Sequence, residues 1–484
     1  MANSISRRSL LKGASACGAA LFATATWGQL RDEDVLQSWI EHNAISLNSG
    51  PDADWVAQSA ERLTSAIAES RIVMLGEPSH GAGAAFAAKT RLVRLLHERL
   101  GFDVLVWESG LIDLERTEAG LRGGLDPVES AQRGILKIWS ASAECKPLFT
   151  YAAASDKGAH PLTMAGFDMQ LTADGTLDYF AAELRKFVGT LPSTSRNGAK
   201  TLAEDVLTYF GRLYRYTDAL AKKIAALGHA GTSGAAMGEA IQAWNKSEGD
   251  AIRPVTDDLK RLQGAVDALN SLIGSEKERG TSGARAGFMV RAITGLAGFG
   301  ANLLEEQGTQ STKANAGSEI AHENRRDRLN AENLKWLLEN AYAGRKVIVW
   351  AHSAHVMNAW YGQGFNSVSL TPLNDAMKPT GVWLADWYGD AVYRIGITTY
   401  QGSDGWVGAP PSPVPPAPSG SLEERLHRLG APEAFLPLRG ARLPVPSVSM
   451  RIPKYMTETL THPAQAFDAL FFIDTMTPAT LIQN

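Results

Sequence analysis

Two histidine clusters and three carboxylates stand at recurring positions in this chain. Glu77 and His80 lie in Gly76-Glu-Pro-Ser-His-Gly81, and Glu108 lies in Trp107-Glu-Ser-Gly110. Asp168 follows Gly166-Phe167, and His352 and His355 lie in Trp350-Ala-His-Ser-Ala-His-Val356. Each group follows a short apolar run. Histidine is the natural general base near neutral pH, and a neighbouring carboxylate fixes its tautomer and stabilises the imidazolium it becomes. Two carboxylates and two histidines therefore suffice to activate a water and to protonate a leaving alkoxide. The remaining requirement is a cation or aimed donor for an oxyanion. Lys89, nine residues after His80, and Arg326 are the candidates.

Each residue also has a plainer reading. Glu77 could cap the helix that starts near Gly83, Asp168 could be a hydrogen-bonded scaffold, and Lys89 and Arg326 could be solvated surface charges. One of His352 and His355 could simply orient the other. His352-x-x-His355 with Glu77, Glu108 and Asp168 could also ligate a divalent metal. Other standard machinery is missing. There is no Gly-x-Ser-x-Gly elbow, no His-Glu-x-x-His, no phosphate loop and no strand-linked Gly-x-Gly-x-x-Gly, and Cys145 has no local support as a nucleophile.

The elements that must position these groups follow from hydrophobic patterning. Apolar runs at Arg71–Gly76, Asp103–Trp107, Pro161–Phe167 and Lys346–Trp350 read as buried strands. Phe86 to Leu100 carries a helical apolar stripe closed by Gly101. Strand, helix, strand at this spacing predicts an α/β fold with a mostly parallel central sheet flanked by helices. Residues 30–70 read as helical, including Asp54 to Glu69. Residues 174–341 are long, rich in Ala, Leu, Lys and Glu, and interrupted by Pro192 and Pro254 alone. They predict an inserted helical subdomain whose last helix runs from Asp327 to Asn340. Val382–Trp387, Tyr393–Tyr400 and Phe467–Ile473 read as further strands. The Pro-rich segment 408–421 reads as a surface loop within one domain or a linker. If the four leading strands are parallel neighbours, the six polar groups converge outside their carboxyl ends, where open α/β sheets bind ligands.

Composition sets the outer bounds. The chain has 484 residues, 44% hydrophobic and 20% charged, which is enough for a large core. A net charge of −4 without a basic stripe excludes a nucleic-acid backbone as the natural partner. Ser6-Arg7-Arg8-Ser9-Leu10-Leu11-Lys12, a short apolar run and Ala23-Thr24-Ala25 have the order of a twin-arginine signal peptide, expected over 1–25. That leaves 26–484 as a mature, exported chain, periplasmic or secreted, with the export machinery as an expected partner. The run is too short for an ordinary membrane span. Cleavage removes Cys17 and leaves Cys145 alone, so no internal disulfide forms.

Together these residues resemble the erythromycin esterase family. The likeness runs through Leu75-Gly-Glu-Pro-Ser-His-Gly81, Gly101-Phe102 with Trp107-Glu108, and Gly166-Phe-Asp168. It continues through Arg326-Asp327, Ala331-Glu-Asn333, Trp336, Val349-Trp-Ala-His-Ser-Ala-His-Val356 and Phe467-Asp-Ala-Leu470, in the family's order over roughly 35–475. The resemblance implies an α/β core with a helical subdomain and metal-independent hydrolysis of an ester, or lactone, by a histidine-activated water. Position by position it makes His80 the base, Glu77 and Glu108 its carboxylates, and His352 and His355 completing groups. Lys89 stands where some members carry arginine, which keeps the charge and loses the bidentate fork. The family is broad, so the resemblance implies a small-molecule ester rather than a macrolide in particular. The rival readings are a metal-dependent hydrolase using the same residues as ligands, and a non-catalytic envelope binding protein that keeps the fold.

Overall fold

A computed structural model describes residues 35–47, 61–229, 234–278, 283–309, 316–358, 377–451, 455 and 458–483. The expected signal peptide and the first part of the helix expected at Asp54–Glu69 lie outside the described residues. Eleven strands are present among these residues: β1 (Ile45–Leu47), β2 (Ile72–Glu77), β3 (Phe102–Gly110), β4 (Thr163–Asp168), β5 (Lys346–His352), β6 (Val392–Asp404), β7 (Ser412–Val414), β8 (Glu433–Pro437), β9 (Val448–Arg451), β10 (Glu458–Thr461) and β11 (Ala469–Met476). Nine of them form one sheet in the order β1-β8-β11-β6-β2-β5-β3-β4, with β7 paired to β6. From β11 to β4 all neighbours are parallel; β8, β1 and β7 run antiparallel. The fold is thus α/β with a mostly parallel sheet.

The central strands are buried on both faces, which is why they read as unbroken apolar runs rather than alternating ones. Successive side chains still go to opposite sides. Ile72, Met74, Val104, Val106, Val347 and Val349 join one core. Val73, Leu75, Leu105, Trp107, Ile348 and Trp350 join the other. The second core is closed by the helix Gly83–Leu100, through Phe86, Leu92 and Leu96. That helix ends where Gly101 adopts a left-handed φ of 69° and returns its N–H to Leu96.

The first core is closed by the helices between β4 and β5: Thr176–Thr190, Ser193–His229, Gly234–Ser247, Thr256–Glu278, Gly283–Thr309 and Ala316–Trp336. Phe180, Leu184, Phe210, Leu262, Ile293 and Leu334 form one apolar cluster with the sheet residues. The insertion therefore shares the sheet's core. Its last helix begins eleven residues before the expected Asp327 and ends in a π turn, Leu337–Ala341.

Two expectations need correction. Residues 380–388 are a helix, Thr380–Tyr388, and not a strand. Their run of Val, Trp and Leu is strand-like in propensity, but Pro379 precedes the first turn and Gly389 ends it. Residues 30–70 are not helical throughout: after a helix over 35–43 the chain forms β1, which pairs with β8. The Pro-rich segment 408–421, read as a loop within one domain or a linker, contributes β7, which pairs with the end of β6.

Candidate active site

The strand order carries the polar groups to one crevice. β2 lies between β5 and β6, and Glu77 at its end stands in register with His352 at the end of β5. β3 lies on the far side of β5, and beyond Trp107 its register with β4 shifts, so that Gly110 faces Asp168. Glu108 stands in that irregular stretch. The cavity outside these strand ends holds about 440 Å³ and is lined by Ser79, His80, Arg326, His352, His355 and Asp404, among others.

Two polar assemblies meet there. The first is built on Glu77, which is fully buried. Its Oε1 accepts from the His80 Nδ1–H at 3.3 Å and from the Trp139 indole N–H at 3.2 Å. Its Oε2 accepts from Lys89, which also donates to the Ala351 carbonyl at 3.2 Å. Lys89 has no exposed surface, so it is neither a solvated charge nor a group of the cavity wall. Burial lowers its pKa, and pairing with Glu77 offsets this only in part. Glu77 does not cap the following helix, whose cap residue Ala82 has no side-chain cap bond.

His80 itself is 23% exposed, its ring edge-on to Trp139 and His352 at centroid distances of 5.4 and 5.1 Å. Because Nδ1 is held by Glu77, Nε2 is the nitrogen left for the cavity. The loop is fixed from the other side as well. Ser79 Oγ donates to Asp404 at 2.7 Å and accepts from the Gly81 N–H. The Gly81 carbonyl accepts from Gly405 and Ala479. A Cβ on Gly81 would lie 2.6 Å from Asp404 Oδ1 and from the Gly405 backbone, so the residue there must be glycine.

The second assembly is built on Glu108. Its Oε1 meets the His355 Nε2 at 3.1 Å and the Arg326 Nη2 at 3.0 Å, while its Oε2 accepts from the His352 backbone N–H at 2.8 Å. Arg326 also donates to Asp168 at 2.7 Å, and His355 Nδ1 meets Asp327 at 2.8 Å. Burial alone would push the Glu108 carboxyl up; His355 and Arg326 outweigh it and hold it well below the usual carboxylate range. Burial alone would lower His355; Asp327 and Glu108 prevail and raise it well above an ordinary histidine. Asp327 and Glu108 thus favour the charged form of His355, against burial and against Arg326 Nη1, which lies 3.2 Å from Nε2.

His352 is held differently. Its Nδ1 accepts from the Ala354 N–H at 3.1 Å, capping the short helix Ser353–Val356, and its Nε2 lies 3.2 Å from the Pro78 carbonyl. An acceptor at Nδ1 and a carbonyl at Nε2 require the neutral Nε2–H tautomer. His352 therefore ties β5 to the His80 loop.

All seven residues singled out from the sequence, and Asp168, thus fall in these assemblies. Lys89 lies beneath the cavity rather than on it, and Glu108 holds Arg326 and His355 rather than His80. Among the described residues no three His, Cys, Asp or Glu groups are arranged to hold a metal ion, and the cation between Glu108, Asp168 and His355 is the Arg326 guanidinium. Cys145 is buried, which raises its thiol pKa well above the ordinary value and makes it a poor nucleophile. Sequence reasoning missed Trp139, Asp404, Trp406 and Tyr455. Asp404 could have been sought as another acidic residue near a strand end. The aromatic residues carry no local signal.

Residues 97–476 match the model of the erythromycin esterase family, a stretch that begins after Glu77, His80 and Lys89. The chain is 25% identical over 465 residues to YbfO of Bacillus subtilis (strain 168), a protein provisionally named a hydrolase, and the match covers 93% of each. Its fold is shared by a Bacillus cereus protein (TM-score 0.66, 17% identity, 93% of this chain and 99% of that one). It is also shared by a succinoglycan biosynthesis protein (TM-score 0.62, 16% identity, 92% and 98%). A variant of the erythromycin esterase EreC in an open conformation gives a TM-score of 0.55 at 16% identity, over 88% and 95% of the two chains. The solved structures establish the fold, and the family and the named relative indicate a hydrolase. With its helical insertion, its mostly parallel sheet and its match over 97–476, the chain belongs to the erythromycin esterase family.

Proposed function

We propose that this protein is an exported carboxylic-ester hydrolase, acting on an ester or lactone through a water activated by His80. One observation carries the reading. His80 offers Nε2 to a cavity while its Nδ1–H is held by Glu77, a carboxylate itself fixed by Lys89 and Trp139. In this reading Nε2 takes a proton from water as the oxygen attacks the ester carbonyl. Glu77 stabilises the imidazolium that results. The same imidazolium returns the proton to the departing alkoxide, since His352 is engaged through both ring nitrogens.

Arg326, 22% exposed at the cavity and anchored by Glu108 and Asp168, supplies positive charge toward the developing oxyanion. His355 and Asp327 keep that anchor in place. No metal enters the mechanism. The small-molecule ester is the one partner needed for chemistry. Residues 1–25 are proposed as a twin-arginine signal that delivers the folded enzyme beyond the cytoplasmic membrane.

The test is turnover by the purified mature protein at neutral pH, with chelator present. The panel holds a macrolide lactone, simple aryl esters and an amide. Cleavage of an ester or lactone, unaffected by chelator, supports the reading. Turnover that needs an added divalent ion contradicts the metal-free mechanism, and preferential cleavage of the amide contradicts the ester assignment.

A further inference from the structure

The groups that line the His80 cavity differ in whether their hydrogen-bonding capacity is already used. Arg326 Nη2 is committed to Glu108 and Asp168, its Nη1 lies 3.2 Å from His355 Nε2, and His352 and His355 are committed to Pro78, Ala354, Glu108 and Asp327. Ser79 donates to Asp404. Three lining groups keep a buried side-chain atom with no hydrogen-bond partner: Arg326 Nε, Asp404 Oδ1 and the Tyr455 hydroxyl. Tyr455, 6% exposed, is the uncharged donor among them.

A buried hydroxyl left unpaired costs on the order of 1–3 kcal/mol. At the wall of a cavity such a donor is one that a bound ligand can engage. Its chemistry is restricted. Burial, with Asp404 and Glu77 nearby, pushes the phenol well above its ordinary pKa, so it stays protonated and able to donate. A neutral donor in the wall of the cavity that holds the base suits an oxygen that gains negative charge in the reaction.

On the proposed hydrolase reading, we infer that the Tyr455 hydroxyl donates a hydrogen bond to the carbonyl oxygen of the scissile ester, beside the charge supplied by Arg326. No proton is transferred from Tyr455. The bond shortens as the carbonyl becomes tetrahedral and relaxes when it re-forms. Tyr455 would then be a catalytic residue of the site.

The experiment compares wild type, Tyr455→Phe and His80→Ala on the best ester of the panel, with kcat and KM separated and thermal melting as the fold control. Tyr455→Phe keeps the ring and removes the donor. Removing one oxyanion donor costs about 100- to 1000-fold in kcat where it is measured, and a fall of at least about 10-fold in kcat, with KM little changed, is the expected result. Unchanged kinetics, or a loss confined to KM, would overturn the assignment, the latter because the hydroxyl then binds substrate away from the reacting carbonyl. If Tyr455→Phe does not fold, Tyr455→Trp and Tyr455→Leu are compared instead, and full kcat in a folded variant overturns it. Wild-type turnover abolished by His80→Ala keeps the hydrolase reading standing whichever way Tyr455 falls.

Discussion

Glu77 divides its two carboxylate oxygens between Lys89 on one side and His80 on the other. The lysine sits fully buried beneath the site, where its charge acts on the carboxylate and not on substrate. The base is thus supported by a relay in which His80 touches Glu77 and Glu77 touches Lys89.

Removing that counter-ion strands a buried carboxylate. Lys89→Met is expected to destabilise the protein by about 3–5 kcal/mol, the usual result of breaking one side of a buried pair. It should also depress turnover, since the carboxylate that holds His80 would lose the partner that fixes its other oxygen. The double variant Lys89→Met/Glu77→Gln should recover much of the stability without recovering activity. Urea unfolding and kcat on the same preparations check both parts. Equal stability of the single variant and wild type would contradict the buried pair.

His355 gives a pH-dependent stability with a defined sign. Its folded pKa is raised well above the ordinary 6.5, so its ion pairs contribute fully below that value and fade as pH rises through the folded one. Glu108 has a lowered folded pKa, so its share is present above its ordinary 4.5 and is lost as pH falls through the folded value. The stability gap between wild type and His355→Gln should therefore be wide near about pH 6 and narrower near about pH 10. Urea midpoints at the two pH values measure it. A gap independent of pH would mean that the charged form of His355 is not favoured as described.

Gly81 sets the position of the His80 loop by its lack of a side chain. A methyl group there meets backbone and the Asp404 carboxylate at 2.6 Å, so the loop must move. Gly81→Ala is expected to cost roughly 1–3 kcal/mol of stability through overpacking. It should cost activity more heavily, at least about 10-fold in kcat, because the displaced groups orient the base. Wild-type kcat in this variant would show that the loop's placement is not critical.

Much of this arrangement was legible in the chain. The apolar runs of β2, β3, β4 and β5 are long enough and buried enough on both faces to declare themselves, and each is followed by its polar group. The helix at Thr380–Tyr388 was misread because Val, Trp and Leu in succession look like a strand. What makes it a helix is its packing against Ala316–Trp336 and the close approach of Gly381 to the Val356 carbonyl, both set by tertiary contacts.

The division of labour within the site was less legible. Spacing brought His80, Glu77, Glu108, His352 and His355 to one sheet end. It could not say that His352 is held through both ring nitrogens by Ala354 and Pro78, or that His355 is held between Asp327 and Glu108. Nor could it place Lys89 under the site. Asp404 and Tyr455 are 324 and 375 residues beyond His80, and only the full sheet order brings them to it.

The central claim is that His80 is the base, and the most direct measurement is kcat for His80→Ala and His80→Asn against wild type on the best ester, at neutral pH with chelator present. The account predicts a fall of about 100- to 10,000-fold, the range expected for loss of a general base, with circular dichroism and melting temperature unchanged. Activity within a few-fold of wild type in either folded variant would contradict it.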